Sequence, residues 1–449
     1  MASAINTFVD FLHDTQFADL SNPVVHHCKR HFLDCTASAL AAVPEPVGKI
    51  VATYVGAQNA GGTARVIGTG QVTSAEHAAF GNGILAHAIS FDDSGPSHPS
   101  VTVVPALYAL GDTQDLSGQD IIAAQALGYE LFQRLNRVTN KARQMRDAGW
   151  HPTGFMGALT SAAIASRLLK LTHDQTIQAF GIVASMGAGL SCNIGTMTMA
   201  LHAGNASRNG VAAAMLAQQG FTSDPNAITG DFGLLNALLG KGNYDTSPLV
   251  DGLGESFAVH KPGINIKTLP NCWGHHKYYQ AMLAMVTKED IQPEDVVRID
   301  CDLQPDKSTC RYFLPQNDYE AKYSIGYGLA MALIDRELTF AQYAPDRITS
   351  PKVRSILDKI NHVPAGHVDD EGKTRVTLTL TSGRVVSNLV TEPKGMAQKN
   401  PISDNELFDK FKLCASRTLS NDRLDHASSL IMSMEDIENF TSVSSAVSM

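Results

Sequence analysis

Apolar residues recur at spacings of three and four from the N-terminus to about residue 260, which predicts a succession of helices. Several starts carry a hydroxyl residue three positions before an acid or amide, the pair that satisfies free backbone N–H groups reciprocally. Thr73 with Glu76 opens a run to Ile89, Ser117 with Asp120 one to about Val138, and Thr172 with Gln175 the next. The small residues Ala162–Ala165 and Ala212–Ala214 allow helices to approach closely. Near Pro262 the period changes. Residues 296–303 alternate as a strand does, and so do residues 374–380. The turn Ser382-Gly383 then leads into 384–390, the signature of a hairpin. Between these strands, residues 323–334 read as a helix. After the loop-like Glu392-Pro393-Lys394-Gly395, residues 404–414 return to helix. The predicted fold is mainly α with an α+β lid. Residues 1–266 and 396–449 form a large all-helical domain, and residues 267–395 form a smaller inserted α/β lid.

Composition narrows the classes. A chain of 449 residues exceeds the size at which one core usually stops growing, consistent with two domains. With 44% hydrophobic and 18% charged residues it is globular. A formal net charge of −9 argues against a nucleic-acid partner, which needs a basic face. Met1 to Asp19 shows no basic start followed by an apolar run, and no stretch reaches the roughly 20 apolar residues of a membrane span. Seven dispersed cysteines without a CxxC pair fit reduced thiols, so a cytoplasmic location is expected. The terminal Ser-Ala-Val-Ser-Met is not the common peroxisomal tripeptide.

Four stretches carry candidate chemistry. In the first, residues 87–100, a helix ends in Asp92, Asp93 and Ser94, and a short Gly-Pro loop leads to His98 before another apolar helix. Such a loop can aim Asp93 and His98 at one point, where the carboxylate raises the basicity of the imidazole. On composition alone, a turn-finishing aspartate and an ordinary loop histidine account for it better. In the second, Gly149-Trp150-His151-Pro152-Thr153-Gly154, proline suits a helix start and places His151 near the positive end of the dipole. A capping or packing role is equally compatible. The third, residues 195–204, contains Met199, which reads as core or pocket wall. In the fourth, residues 267–277, Lys267 is followed by His275 and His276, which point opposite ways on a strand and so seldom share a metal. His27 and His31 have helical spacing suited to zinc, but a surface helix face explains them more simply. The glycines at 61, 62, 68 and 70 lack the strand-turn-helix context of a nucleotide loop.

These four stretches, followed by Tyr323-Ser324-Ile325-Gly326-Tyr327, resemble in order and spacing the motifs of the MmgE/PrpD family, from about Leu33 to about Cys414. The resemblance implies a helical domain and an α/β lid, in a homodimer, with the site in the cleft between them. It implies elimination of water or CO2 from polycarboxylates, or epimerisation of an acid centre, on a small-molecule substrate with no cofactor and no metal. By position, His98, His151, His276 and Tyr327 match site residues of the family. Asp93 would orient His98, and Tyr327 or His151 would serve the departing or developing charge. Ser90, Ser94, Met199, Lys267 and His276 would contact substrate. Ser94 stands where the family often has threonine. Ser90 replaces the family's first aspartate and Met199 its lysine, while the loop between Asp93 and His98 is shorter than in many members. A lysine there would hold a substrate carboxylate by a charge-assisted hydrogen bond, whereas methionine is apolar and adaptable. The expected activity is therefore a dehydratase- or decarboxylase-type lyase on a substrate other than the usual tricarboxylates. An isomerase using the same proton step, or a binding protein without chemistry, is the alternative.

Overall fold

The computed structural model describes residues 4–95, 97–140, 143–302, 311–363 and 374–448. The expected strand residue 303 lies outside them. The chain divides into two units: Met1–Ser191 with Thr198–Ile266 and Ile402–Met449, and Cys192–Met197 with Lys267–Pro401. The first boundary coincides with the change of period after Pro262. The return falls at 401/402 rather than 395/396, and six residues from 192 to 197 join the second unit.

The first unit is built from helices. Those that carry the site are α1 (Asn22–Ala42), α2 (Ala75–Ala88), α3 (Ser100–Gly111), α4 (Gly118–Val138), α5 (Pro152–Leu168), α6 (Met197–Gln218) and α7 (Asp404–Ala415). Helices α2, α3 and α5 are buried along nearly their whole length, as sequences rich in Ala, Gly and Val without charged faces require. Small residues fix how closely they meet. A Cβ built on Gly83 of α2 would lie 2.8 Å from the Cα of Gly204 in α6, so these helices touch backbone to backbone. Gly83 is one turn before His87, and Gly204 is two residues after His202. The glycine contact thus brings both histidines toward one place.

The capping boxes form where expected at Ser117 and Thr172, with Asp120 N 3.2 Å from Ser117 Oγ and Gln175 N 3.2 Å from Thr172 Oγ1. The Thr73 box does not form. Thr73 sits in a short strand, and Ser74, whose hydroxyl meets His77 Nδ1 at 2.8 Å, precedes α2 instead. Nor is α1 a surface helix at His31, which is 1% exposed.

The second unit holds a four-stranded sheet and its helices. Strands β1 (Val296–Asp302), β2 (Ile360–Val363), β3 (Thr374–Leu380) and β4 (Val385–Val390) lie in the order β2-β1-β3-β4. β1 runs parallel to β2, with Ile299 beside Ile360, and antiparallel to β3, with Cys301 beside Val376. The expected hairpin is β3–β4, with Thr377 beside Ser387. Two helices, His276–Lys288 and Ile325–Asp335, supply Tyr278, Met282, Leu329 and Leu333 to the core that Ile299, Cys301 and Leu378 complete from the sheet. His275 and His276 are therefore not on a strand. They form the entry to the first of these helices and are both buried.

Candidate active site

The first unit gathers four imidazoles and a carboxylate in its interior. His87 comes from the last turn of α2, Asp92 and His98 from the loop before α3, His151 from the residue ahead of α5, and His202 from α6. The loop is set by the chain reversal after α2. Ser90 adopts φ 55, a left-handed conformation, and is 1% exposed. Ser94 pairs through its main chain with Asn265, N to O at 2.9 Å in both directions. Gln133 Nε2 donates to Gly95 O at 2.6 Å, and the hydroxyls of Ser97 and Thr153 meet at 2.7 Å.

His98 Nδ1 lies 2.6 Å from Asp92 Oδ2 and 2.8 Å from the main-chain oxygen of Asp93. Both neighbours are acceptors, so Nδ1 carries the proton, donating it to the Asp93 carbonyl, which leaves the lone pair on Nε2. His98 is the one ring of the four that is partly exposed; its side chain is 17% accessible. The other oxygen of Asp92 is 3.2 Å from His87 Nδ1. The ring centroids of His87 and His98 are 4.6 Å apart, and those of His87 and His151 are 6.0 Å apart and nearly parallel.

Asp93 is not the carboxylate that faces His98, contrary to expectation. Its side chain turns inward, accepting from the Ser100 hydroxyl and, at 3.3 Å, from Ser100 N at the start of α3. Ser100 Oγ continues to Tyr129 OH at 2.6 Å, and His31 Nδ1 stands 3.5 Å from Asp93 Oδ2. The carboxylate thus fixes the helix start, and only the Asp93 carbonyl reaches the imidazole.

His151 and His202 share a proton between Nδ1 atoms 2.9 Å apart. The His202 ring lies against the backbone of Gly189, where a Cβ would come within 3.1 Å of it and where φ is +151°. Burial holds His151 well below the usual histidine range, and the neighbouring His202, His87 and His98 add to this. Burial, then His87, lowers His202 from 6.5 to about 4. Both are therefore neutral at neutral pH.

This has a consequence for stability. The unfolded chain protonates these imidazoles as pH falls through about 6.5, while the folded chain refuses the His202 proton until about 4. Stability contributed by the neutral pair is complete above about 6.5 and is lost toward pH 4. The expected cost is on the order of 3 kcal/mol for His202. The urea midpoint should fall from pH 7 to pH 5, and His202→Gln should flatten that slope. An equal slope in both proteins would contradict the assignment.

His87, Asp92 and His98 also present donor atoms within 4.8 Å of one another, a set that metals use. His98 Nδ1 and Asp92 Oδ2 stand only 2.6 Å apart, the spacing of a close ion pair. Two ligands of one zinc ion, each about 2.1 Å from it in tetrahedral geometry, stand roughly 3.4 Å apart.

Met199 is buried on α6, one turn before His202. Lys267, His276 and Tyr327 belong to the second unit, and all three are buried there. The His276 ring lies 4.9 Å from Trp273. Tyr327 donates its hydroxyl to the Gln342 carbonyl, and burial pushes its pKa above the usual tyrosine range. Its proton is thus engaged by main chain rather than offered to a departing group. A separate cavity of about 490 Å³ in the first unit, beside Ser185, Asp224, Asp231 and Phe232, includes none of these histidines.

His87, Asp92 and His202 were not singled out by motif, yet each stands inside a motif already noted. His87 and Asp92 lie in the first and His202 in the third.

Fold and cluster together define a class: a mainly helical protein with a small α/β part, holding a buried carboxylate–imidazole array of the kind used to move protons. The MmgE/PrpD N-terminal domain matches residues 6–247 and the MmgE/PrpD C-terminal domain residues 270–436, and the chain belongs to this family. It is 26% identical to a human cis-aconitate decarboxylase over 98% of this chain and 93% of that protein. The mouse cis-aconitate decarboxylase is equally similar, at 26% over 98% of this chain and 92% of its own length. One from Aspergillus terreus is 24% identical over 94% and 91%.

Proposed function

We propose that this protein is a cofactor- and metal-independent lyase that moves a proton next to a substrate carboxylate or carbonyl. The observation that carries the reading is the His98–Asp92 pair: a partly exposed imidazole whose Nδ1 stands 2.6 Å from a buried carboxylate and donates to the Asp93 carbonyl, with Nε2 left to exchange protons. In a decarboxylation, the C–C bond to the carboxylate breaks, CO2 leaves, and protonated Nε2 delivers its proton to the carbon that receives the electron pair. In a dehydration, Nε2 takes the proton from carbon as hydroxide departs. His151, neutral and adjacent, supplies a hydrogen bond to the charge that develops.

The relatives named cis-aconitate decarboxylases suggest a carboxylated substrate, but Met199 supplies no ammonium for a further carboxylate. A bound carboxylate left without its partner is penalised by a few kcal/mol. The preferred substrate therefore carries fewer carboxylates than cis-aconitate, or an apolar arm. The test is turnover of a panel containing cis-aconitate and unsaturated or hydroxylated mono- and dicarboxylates, read by product mass, with protein dialysed against a chelator. Loss of 44 or 18 mass units from a mono- or dicarboxylate in preference to cis-aconitate is expected. A product of unchanged mass would assign an isomerase instead. Faster turnover of cis-aconitate would overturn the substrate class, and activity that returns only with added metal would overturn metal independence.

A further inference from the structure

The turn that carries Asp92 is held from an unexpected direction. Lys410, on α7 in the last fifty residues, is buried within the first unit, with only 6% of it exposed. Its Nζ donates to the main-chain oxygen of Phe91 at 2.7 Å, stands 2.5 Å from Asp34 Oδ1 on α1, and lies 4.0 Å from the centroid of the Phe91 ring. Asp34 is fully buried.

We propose that Lys410 is a positioning residue for the Asp92–His98 pair. The Phe91 carbonyl carbon is bonded to the Asp92 nitrogen, so the direction of that carbonyl sets the peptide plane from which the Asp92 side chain departs. Between the end of α2 and the start of α3 the described residues form no regular helix or strand, and Ser90 there adopts a left-handed conformation. A fixed donor is what such a segment needs. Burying an ammonium and a carboxylate brings little net stability, because desolvation offsets their attraction. The geometric result is specific: one ammonium joins α1, α7 and the residue before Asp92. The family's C-terminal domain match ends at residue 436 and includes Lys410, so a residue from the C-terminal half of the sequence orients a carboxylate from the N-terminal half.

The test reads His98 directly and needs no substrate. In protein labelled with ¹⁵N-histidine, the His98 Nδ1 proton, donated to the Asp93 carbonyl beside the Asp92 carboxylate, should give a downfield resonance, assigned by its absence in His98→Asn. Lys410→Met combined with Asp34→Asn removes both charges together, avoiding a buried unpaired carboxylate. This double variant should keep a melting temperature close to wild type, yet its resonance should shift or vanish. Asp34→Asn alone keeps the donor on Phe91 and should leave the resonance in place. Should the double variant not fold, Lys410→Arg retains the charge but not the placement of the single donor, and it too should move the signal. An unmoved resonance in a folded Lys410 variant would overturn the proposal. So would a resonance that moves equally in Asp34→Asn. The kinetic arm rests on the proposed lyase reading: kcat on the acid the wild type turns over should fall by about 10²-fold, the scale of a misplaced catalytic group, with KM nearly constant. If no acid is turned over, the lyase reading fails and the resonance still decides the role of Lys410.

Discussion

His98→Asn is expected to lower kcat by roughly 10²–10⁴-fold, the usual contribution of a positioned acid or base, while KM changes much less. Asparagine keeps a donor near the position of Nδ1 and removes Nε2, so the loop and its contacts to Asp92 and the Asp93 carbonyl have a partner of similar reach. The two aspartates should separate in the same assay. Asp92→Asn should follow His98→Asn, because a neutral amide holds the imidazole less strongly than the carboxylate 2.6 Å from Nδ1 does. Asp93→Asn should act chiefly on the melting temperature, because that carboxylate accepts from Ser100 at the start of α3 and lies in the Tyr129 hydrogen-bonded chain. Full activity in His98→Asn would move the proton step to another group, His151 first. A larger kinetic loss in Asp93→Asn than in Asp92→Asn would restore Asp93 as the orienting carboxylate.

Met199→Lys should have the second large effect, and its sign depends on the substrate. The position is buried, one helical turn from a histidine that is neutral at pH 7. A substrate that places an apolar arm there would meet an ammonium without a partner and bind more weakly, with KM up about 10-fold or more for a penalty of a few kcal/mol. A substrate that places a carboxylate there would gain a charge-assisted hydrogen bond of roughly 1.5–3 kcal/mol, or about 10- to 100-fold in affinity. KM for cis-aconitate and for the preferred acid should therefore move in opposite directions. Movement of both in the same direction would contradict the assignment of Met199 to specificity.

Much of the fold was legible because local patterns coincide with tertiary burial. The Ser117 and Thr172 caps, the β3–β4 hairpin and the helix after Ser403 follow from hydrogen-bonding rules that act over three or four residues. Thr73 failed because Ser74, one position on, starts the helix, a choice that spacing alone does not make. His31 read as part of a surface helix face. Its burial comes from long-range contact with Asp93 and Tyr129. Adjacency in sequence likewise could not decide between Asp92 and Asp93. Successive residues in a turn point in different directions, and which faces His98 depends on φ at Ser90 and on the anchoring of the Phe91 carbonyl. The pairing of His151 with His202 joins residues 51 apart across the backbone at Gly189, which leaves no periodic signal.

The most direct test of the central claim, metal-free proton transfer through His98, is the mass of the product formed in D2O by chelator-treated protein. If the substrate is decarboxylated, each product molecule should carry one solvent deuterium on the carbon that receives the electron pair. If it is dehydrated or isomerised, recovered substrate or product should show deuterium at the carbon that Nε2 serves. In each case the rate of label entry should fall in His98→Asn by the same roughly 10²–10⁴-fold as turnover. Label entering at the wild-type rate in His98→Asn, or only after a metal is restored, would contradict the account.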